Sequence, residues 1–453
     1  MSIAEHQELF GLWSAFHAGC LRVPVVRKTT RALHAVLPGG LLYRVFWLPL
    51  LLVYLLVASS KAVRTFGPGA QRLTGVPLRE QLAVVLRTCF RFPGLLPVEY
   101  YRQKFYLPKY AGQIAGSGHN FDVRMISHLV CGKSFADLER DAALAHDKLT
   151  FHRLLGENGI AAAPILAVFR RGRAQWLDSK GVIPEGDLFL KPGHEDAGRG
   201  ARRIFYEPAS RGYSIEKPAA AMHRADPLEA FAQTRLTGDE LVGLLCRSSD
   251  EVDWILMPRL RNHPHLVELA GDATLATLRI ATIRDRQGRF SLFFASWRVA
   301  LTDSAVDNAA QGGMECFLDP VTGRLNAGYL SRDDSFLAVH PVTGATIKGT
   351  ALPWLGEAVD MCIQVHRLLT QGDRSYMFLI GFDVALTAAG PVLIEANYPG
   401  DVSGPHVRPA PLWRDPDFVR CADSFLEPLR GFRTHFHPDL WHRDRSRMAL
   451  HGS

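Results

Sequence analysis

Disulfide chemistry is the first thing this 453-residue sequence lacks. Its seven cysteines (Cys20, Cys89, Cys131, Cys246, Cys316, Cys362 and Cys421) are odd in number, scattered, and never form a C-x-x-C pair. That excludes a disulfide framework and a zinc ribbon, and it fits a reducing cytoplasm. No G-x-S-x-G and no complete G-x-x-x-x-G-K-[ST] occurs, which removes the serine-hydrolase elbow and the Walker loop. Repeats and low-complexity tracts are absent too. With 47% apolar and 21% charged residues the chain is too apolar for disorder and too charged for a polytopic membrane protein, and its length allows two or three packed units. Positive charge is scarce where it would matter for nucleic acid. The net +7 resolves into 14 basic against 4 acidic side chains in residues 1–110, a surplus of +10, and −3 for the remainder. A nucleic-acid enzyme spreads basic charge around its catalytic part, so no nucleic-acid partner is expected.

Long apolar runs are also missing, with one short exception. Val45 to Ser60 is sixteen residues without a charge, and reaching back to Leu41 makes twenty with Arg44 inside. A spanning helix needs about 20 apolar residues. Basic residues flank both ends: Arg22, Arg27, Lys28, Arg31 and Arg44 before, Lys61, Arg64 and Arg72 after. Such symmetry gives no positive-inside signal and suits a helix lying on an anionic leaflet. A true span and a buried helix of a soluble unit are the alternatives. From Pro77 to about Asp147 the apolar spacing is helical, with Leu78, Leu82, Val85 and Leu86 as one stripe.

Four later stretches carry the chemistry. The first is a helix from Asp147 to Leu155 containing Lys148, closed by Gly156-Glu157-Asn158-Gly159 and followed by a strand over 163–169. Alone, Lys148 reads as a surface lysine. In the second, an apolar strand from Asp187 delivers Lys191, and a loop with Gly193, Gly198 and Gly200 follows. Glycines let backbone N–H groups approach an anion, and the lysine adds a point charge. Taken alone, this stretch reads better as a plain glycine turn between strands. In the third, the strand Val252–Met257 ends at Pro258, and strands over 277–283 and 290–299 join through Asp285-Arg286-Gln287-Gly288, a hairpin signal. That hairpin brings Arg279 and Arg298 within a few residues of each other. Arginines on apolar strands need an acidic or phosphate partner unless they snorkel from an exposed face. The fourth pairs strands over 380–386 and 391–397 about Thr387–Gly390, placing Asp383 within one residue of facing Glu395, with Asn397 on the same strand face as Glu395. Three oxygen ligands at strand ends suit Mg²⁺ held with substrate phosphates; solvated edge carboxylates are the alternative.

Taken in order, these stretches resemble the ATP-grasp superfamily. The runs Thr277-Leu278-Arg279, Val306-Asp307-Asn308, Gly312-Gly313 and Gly390–Asn397 narrow the resemblance to the sugar-transfer-associated ATP-grasp proteins, over roughly residues 95–405. The resemblance implies an α/β (α+β) fold of two α+β subdomains with antiparallel sheets, preceded by a mainly helical N-terminal unit. The expected division is a basic amphiphilic segment 1–75 with its apolar helix near 41–60, a helical unit 76–140, an ATP-grasp domain 141–430 and a polar tail 431–453. His435-Phe436-His437 in that tail is expected at the surface.

Residue by residue, Lys148 and Lys191 match the two phosphate-holding lysines. Gly193, Gly198 and Gly200 match the lid over the phosphates. Leu256 and Met257 match the hinge whose backbone takes adenine, although Met257 and Pro258 supply no acid for the ribose. Asp383, Glu395 and Asn397 match the magnesium ligands. Relatives often carry an Arg two residues before the metal Asp. Gly381 stands there in this chain, so Arg279, Arg298 or Arg374 must take the role, or it is absent. The implied activity is an ADP-forming carboxylate–amine ligase using ATP and Mg²⁺ in bacterial polysaccharide or envelope-precursor synthesis. Its partners would be a small-molecule carboxylate, an amine or sugar acceptor, and an anionic membrane surface at the inner face of the cytoplasmic membrane. A kinase-like phosphotransferase and a non-catalytic nucleotide-binding component are the rival readings. No signal sets an oligomeric state.

Overall fold

The computed structural model describes residues 40–427 apart from 93–94, 115–116, 118–119, 132, 134, 178–180, 195–197, 219, 224, 303–304, 308–311 and 401–410. Arg22, Arg27, Lys28, Arg31, Asn308 and the 435–437 tail therefore lie outside the described residues.

Two antiparallel sheets organise the chain. The first contains β1 (Ala167–Arg170), β2 (Arg173–Trp176), β3 (Leu188–Pro192), β4 (Arg202–Glu207), β5 (Gly212–Ile215), β6 (Arg235–Leu236) and β7 (Trp254–Pro258), in the order β2-β1-β7-β3-β4-β5-β6. The helix Gly238–Ser248, started by a capping box of Thr237 and Glu240, closes its outer face with Leu241, Leu244 and Leu245. The second contains β8 (Thr277–Arg284), β9 (Phe290–Val299), β10 (Met314–Leu318), β11 (Leu325–Leu330), β12 (Ser335–Leu337), β13 (Leu379–Thr387) and β14 (Gly390–Asn397), in the order β12-β11-β10-β9-β8-β13-β14. Both hairpins expected from turn chemistry form: β8 and β9 join through Asp285–Gly288, and β13 and β14 through the turn after Thr387. Every residue of β8 is buried, because β9 and β13 flank it and the helices Leu355–Leu369 and Pro416–Leu426 pack against it.

The helical N-terminal region runs longer than its apolar segment. One helix spans Gly40–Thr74, because Leu55, Ala62, Val63 and Ala70 keep burying one side against the helix Leu78–Arg91. Gln81 is buried at that contact with both ends satisfied: Nε2 donates to the Gly67 and Val76 carbonyls, and Oε1 accepts from Tyr101. Among the described residues no helix is long and apolar enough to cross a membrane. A second anchor fixes this region to the second sheet. Buried Lys104 donates to the Ser331 carbonyl and pairs with Asp334, whose Oδ1 also accepts from Tyr329 and Tyr110.

His366, fully buried under the second sheet, has both ring nitrogens engaged. Nε2 donates to the Met377 carbonyl at 2.8 Å and Nδ1 accepts from Thr282 Oγ1 at 2.7 Å. Burial pushes its pKa from 6.5 down to about 3. A depressed folded pKa contributes stability above pH 6.5 that is lost as pH falls toward 3, at roughly 1.4 kcal/mol per unit. His366→Leu orphans both partners and is expected to be the less stable protein at pH 8. Urea denaturation should show that gap closing as pH falls below 6.5; a pH-independent gap would exclude a neutral imidazole here.

Candidate functional site

The cleft between the sheets collects the residues singled out from the sequence. Strand alternation on β3 buries Leu188 and Leu190 and turns Phe189 and Lys191 the other way. Phe189 joins Ile165 just before β1, Val168, Ile255 and Met257 of the first sheet, and Val392 and Ile394 of β14 in one apolar wall. Lys148, at the start of the helix Lys148–Glu157 capped by Asp147, reaches the same place. Its Nζ donates to the carbonyls of Pro192 (3.0 Å) and Gly193 (3.4 Å), at the base of the glycine loop.

That loop needs its glycines for two reasons. Gly198 and Gly200 have φ of +71° and +68°, where a Cβ is strained. A Cβ on Gly200 would also stand 2.7 Å from Met222, and one on Gly198 3.0 Å from Val306. The glycine loop thus touches the 305–307 segment after β9. There Asp307 accepts from Thr277 N and Oγ1 at 2.6 Å each; burial raises its pKa against those bonds and Arg298.

On the second sheet the register lines up charges. Ser296, Arg279, Asp383 and Glu395 stand directly opposite one another across β9, β8, β13 and β14. Beside them Glu315 faces Arg298, which faces Thr277. Arg279 Nε lies 2.9 Å and Arg298 Nη1 3.6 Å from Asp383 Oδ1. Glu315 accepts from Ser296 Oγ at 2.7 Å and steadies Arg298 at 3.7 Å. A bulge between Asp383 and Val384 pairs Glu395 with Asp383 but Leu393 with Val384. Ile394 is the extra residue, so Val392, Ile394, Glu395 and Asn397 reach the cleft while Leu393 and Ala396 stay in the core.

The electrostatics follow from burial and crowding. Burial pushes Asp383 up, Arg279 and Arg298 oppose it, and the adjacent Glu395 adds to it. Glu395 stays low: burial works upward, but the bond with the Asp383 carboxyl, Lys191 and Arg279 outweigh it. Burial also lowers Lys191 to about 8, with Lys148 adding to the fall and Glu395 opposing it. Despite the short approach of Arg279, Asp383 Oδ1 is buried without an aligned hydrogen bond. An orphaned carboxylate oxygen beside Glu395 and the Asn397 amide is a hard-oxygen donor set, and it fits a divalent cation. Among the described residues no three His, Cys, Asp or Glu gather to hold a metal, so a cation here depends on Asn397 and on phosphate oxygens.

Two expected residues are placed differently from the others. Leu256 turns into the core of the first sheet and its carbonyl accepts from Leu166 N–H, whereas Met257 packs in the apolar wall of the cleft. Arg374 donates to the Leu369 carbonyl, outside the Asp383 cluster. At Gly381 the chain crosses closely: a Cβ on Gly400 would stand 2.7 Å from the Gly381 nitrogen. Ser296, Glu315, Phe189 and Ile394 were not singled out, and only the register and the bulge reveal them.

Two facing antiparallel sheets, a lysine from each of two elements beneath a glycine loop, and an acid pair on adjacent strands of the opposite sheet define an ATP-grasp protein, ATP-binding and ligase-like in fold. The pattern of the sugar-transfer associated ATP-grasp family matches residues 134–408, and the chain belongs to that family. No curated protein matches the sequence. Solved structures similar to it include D-alanine–D-alanine ligase from Bacillus anthracis, at 12% identity and TM-score 0.31 over 69% of this chain and 72% of that one. An L-amino acid ligase from Bacillus licheniformis shares 11% identity, TM-score 0.33, over 63% of this chain and 47% of that one. N5-carboxyaminoimidazole ribonucleotide synthetase from Thermotoga maritima shares 11% identity, TM-score 0.27, over 61% and 48%. The chain spans about half the length of these last two.

Proposed function

We propose that the protein is an ADP-forming carboxylate–amine ligase that works in bacterial polysaccharide or envelope-precursor synthesis. The observation that carries this reading is the row Arg279–Asp383–Glu395 facing Lys191 across the cleft. Lys191 and Lys148 would offset the phosphate charge of ATP, the loop 193–200 would cover it, and the wall around Met257 and Phe189 would take the base. Asp383, Glu395 and Asn397 would hold Mg²⁺, which supplies charge neutralisation on the phosphates when bound. Arg279 and Arg298, both beside Asp383, would stabilise the charge that spreads during transfer, in place of the arginine missing at Gly381.

The reaction is two-step. A substrate carboxylate oxygen attacks the γ-phosphorus and ADP leaves. The amine nitrogen then attacks the acyl carbon, phosphate leaves with the C–O electron pair, and the amine proton passes to solvent. The protein's work is positioning and charge stabilisation, with water kept from the acyl phosphate. Segment 141–430 would carry it, with 76–140 a helical support and 431–453 a tail. Substrate-dependent ADP release across amino acids and sugar uronates tests the reading. Transfer of ¹⁸O from carboxylate to phosphate supports a ligase. A stable phosphorylated product makes it a kinase, and a protein that binds no Mg·ATP removes both.

Segment 1–75 would hold the enzyme on an anionic membrane face. Leu52, Val53, Leu56 and Val57 are 43–63% exposed on the long helix, with exposed Lys61, Arg64 and Arg72 following. Apolar insertion beside a basic row is the interfacial pattern. Replacing the four apolar residues by serine is expected to reduce co-sedimentation with phosphatidylserine vesicles roughly tenfold or more, with unchanged melting. Undiminished binding would refute this anchor.

A further inference from the structure

We infer that His146 is a fixed-tautomer hydrogen-bond donor that holds the carboxylate substrate of the proposed reaction, an inference that rests on that reading. His146 ends the helix Phe135–His146, one residue before the Asp147 cap. Its Nε2 accepts from the backbone N–H of Tyr398 at 3.0 Å. A backbone N–H only donates, so Nε2 must keep its lone pair, and the proton of the neutral ring sits on Nδ1. Nδ1 has no protein partner among the described residues, and the residue is solvent-exposed.

Its location gives the free N–H a purpose. Tyr398 follows Asn397 directly, so the ring is pinned one residue beyond the acid-x-Asn end of β14, close enough to Glu395 to feel its charge. The anchor is itself braced: the buried Tyr398 hydroxyl bonds Ser127 on the helix Asn120–Cys131. Arg124, one turn earlier, is paired with Glu139. Desolvation of the ring, and then Arg124, lower the His146 pKa. Arg124 and Ser127 precede the family match at 134–408, so the helical N-terminal region braces the segment that follows Asn397.

A neutral donor suits a carboxylate that must attack phosphorus. It orients one oxygen without the full positive charge that would quench the nucleophile, and it remains bonded as charge moves to the acyl phosphate. With its lone pair held by Tyr398, His146 does not act as a base. Its role is positioning.

The two ring nitrogens can be separated by substitution. Asparagine places an amide N–H near the Nδ1 position, and glutamine places an oxygen near Nε2. In the full chain, H146Q is expected to raise KM for the stimulating carboxylate in ADP release roughly ten- to hundredfold, while H146N stays within a few-fold of wild type. The reverse order would overturn the proposal, since it would make the Tyr398 anchor the sole function. Nitrogen-15 histidine spectra, assigned by the loss of one signal in H146Q, need no substrate: an Nδ1–H tautomer is expected, and an Nε2–H tautomer overturns the inference. Mg·ATP binding by calorimetry, run in parallel, reads the nucleotide site separately. Its absence in the wild type defeats the ligase reading and leaves the tautomer result standing on its own.

Discussion

Lys191→Met is expected to abolish ATP-dependent turnover and at the same time to raise the melting temperature. The two effects share one cause. Lys191 is tucked into the cleft with Lys148 near it, and its pKa falls from 10.5 to about 8. At neutral pH it still carries its proton, so the fold holds a charge in a place that disfavours charge. A folded pKa below the unfolded one leaves the fold unburdened above pH 10.5 and fully burdened below 8. The shift corresponds to roughly 3 kcal/mol. Methionine keeps the length of the side chain and removes that cost. Turnover should fall at least 10²- to 10³-fold, because a preorganised cation against phosphate charge acts mainly in the transition state. Calorimetric melting at pH 7 and ADP release check both halves. A variant that melts lower than wild type, or that still turns over, contradicts the placement.

The same lysine ties nucleotide binding to protons. A bound triphosphate favours the charged form, so binding should take up a proton above pH 8 and take up little from Lys191 at pH 7. Calorimetry in buffers of different ionisation enthalpy reads that uptake directly. Proton-neutral binding across the range would place Lys191 away from the phosphates.

The parts of the site visible in the sequence are those set by short-range rules. Two apolar strands around a four-residue turn put Asp383 within one residue of facing Glu395, and the bulge pairs them directly. The Asp285–Gly288 turn put Arg279 and Arg298 on neighbouring strands, and the register leaves them two residues out of step. The Ile394 bulge was not visible, since strict alternation would send Ile394 to the core face and only a local break keeps it beside Glu395 in the cleft. The row also needs β8 to sit between β9 and β13, a neighbour relation that no turn encodes across the intervening chain. Long-range contacts were equally silent. His146 meets Tyr398 across 252 residues, and neither residue type announces the other. Leu256 and Met257 looked equivalent as hinge residues. Alternation separates them, and which face is the cleft depends on where the second sheet packs.

Arg279→Met should be the most damaging single change on the second sheet, and its damage should depend on pH in a definite direction. Asp383 and Arg279 are 8% and 9% exposed, and removing one partner of a buried pair leaves an uncompensated charge, at a cost of roughly 3–5 kcal/mol. Arg298, 3.6 Å away, softens that cost without replacing the 2.9 Å partner. Asp383 can also escape by taking up a proton. Its folded pKa, already raised by burial, rises further once Arg279 is gone. A carboxyl whose folded pKa exceeds the unfolded value loses stability as pH rises through that interval, so the variant should lie closest to wild type near pH 5.5 and fall furthest behind at pH 8. Adding Asp383→Asn removes the charge and should recover most of the stability at pH 8, giving a coupling energy of at least about 2 kcal/mol in a double-mutant cycle. Turnover should be lost in both single variants and in the double. If Arg279→Met is as stable as wild type at pH 8, Asp383 is not carrying a buried negative charge, and the oxygen set proposed for Mg²⁺ loses its strongest member.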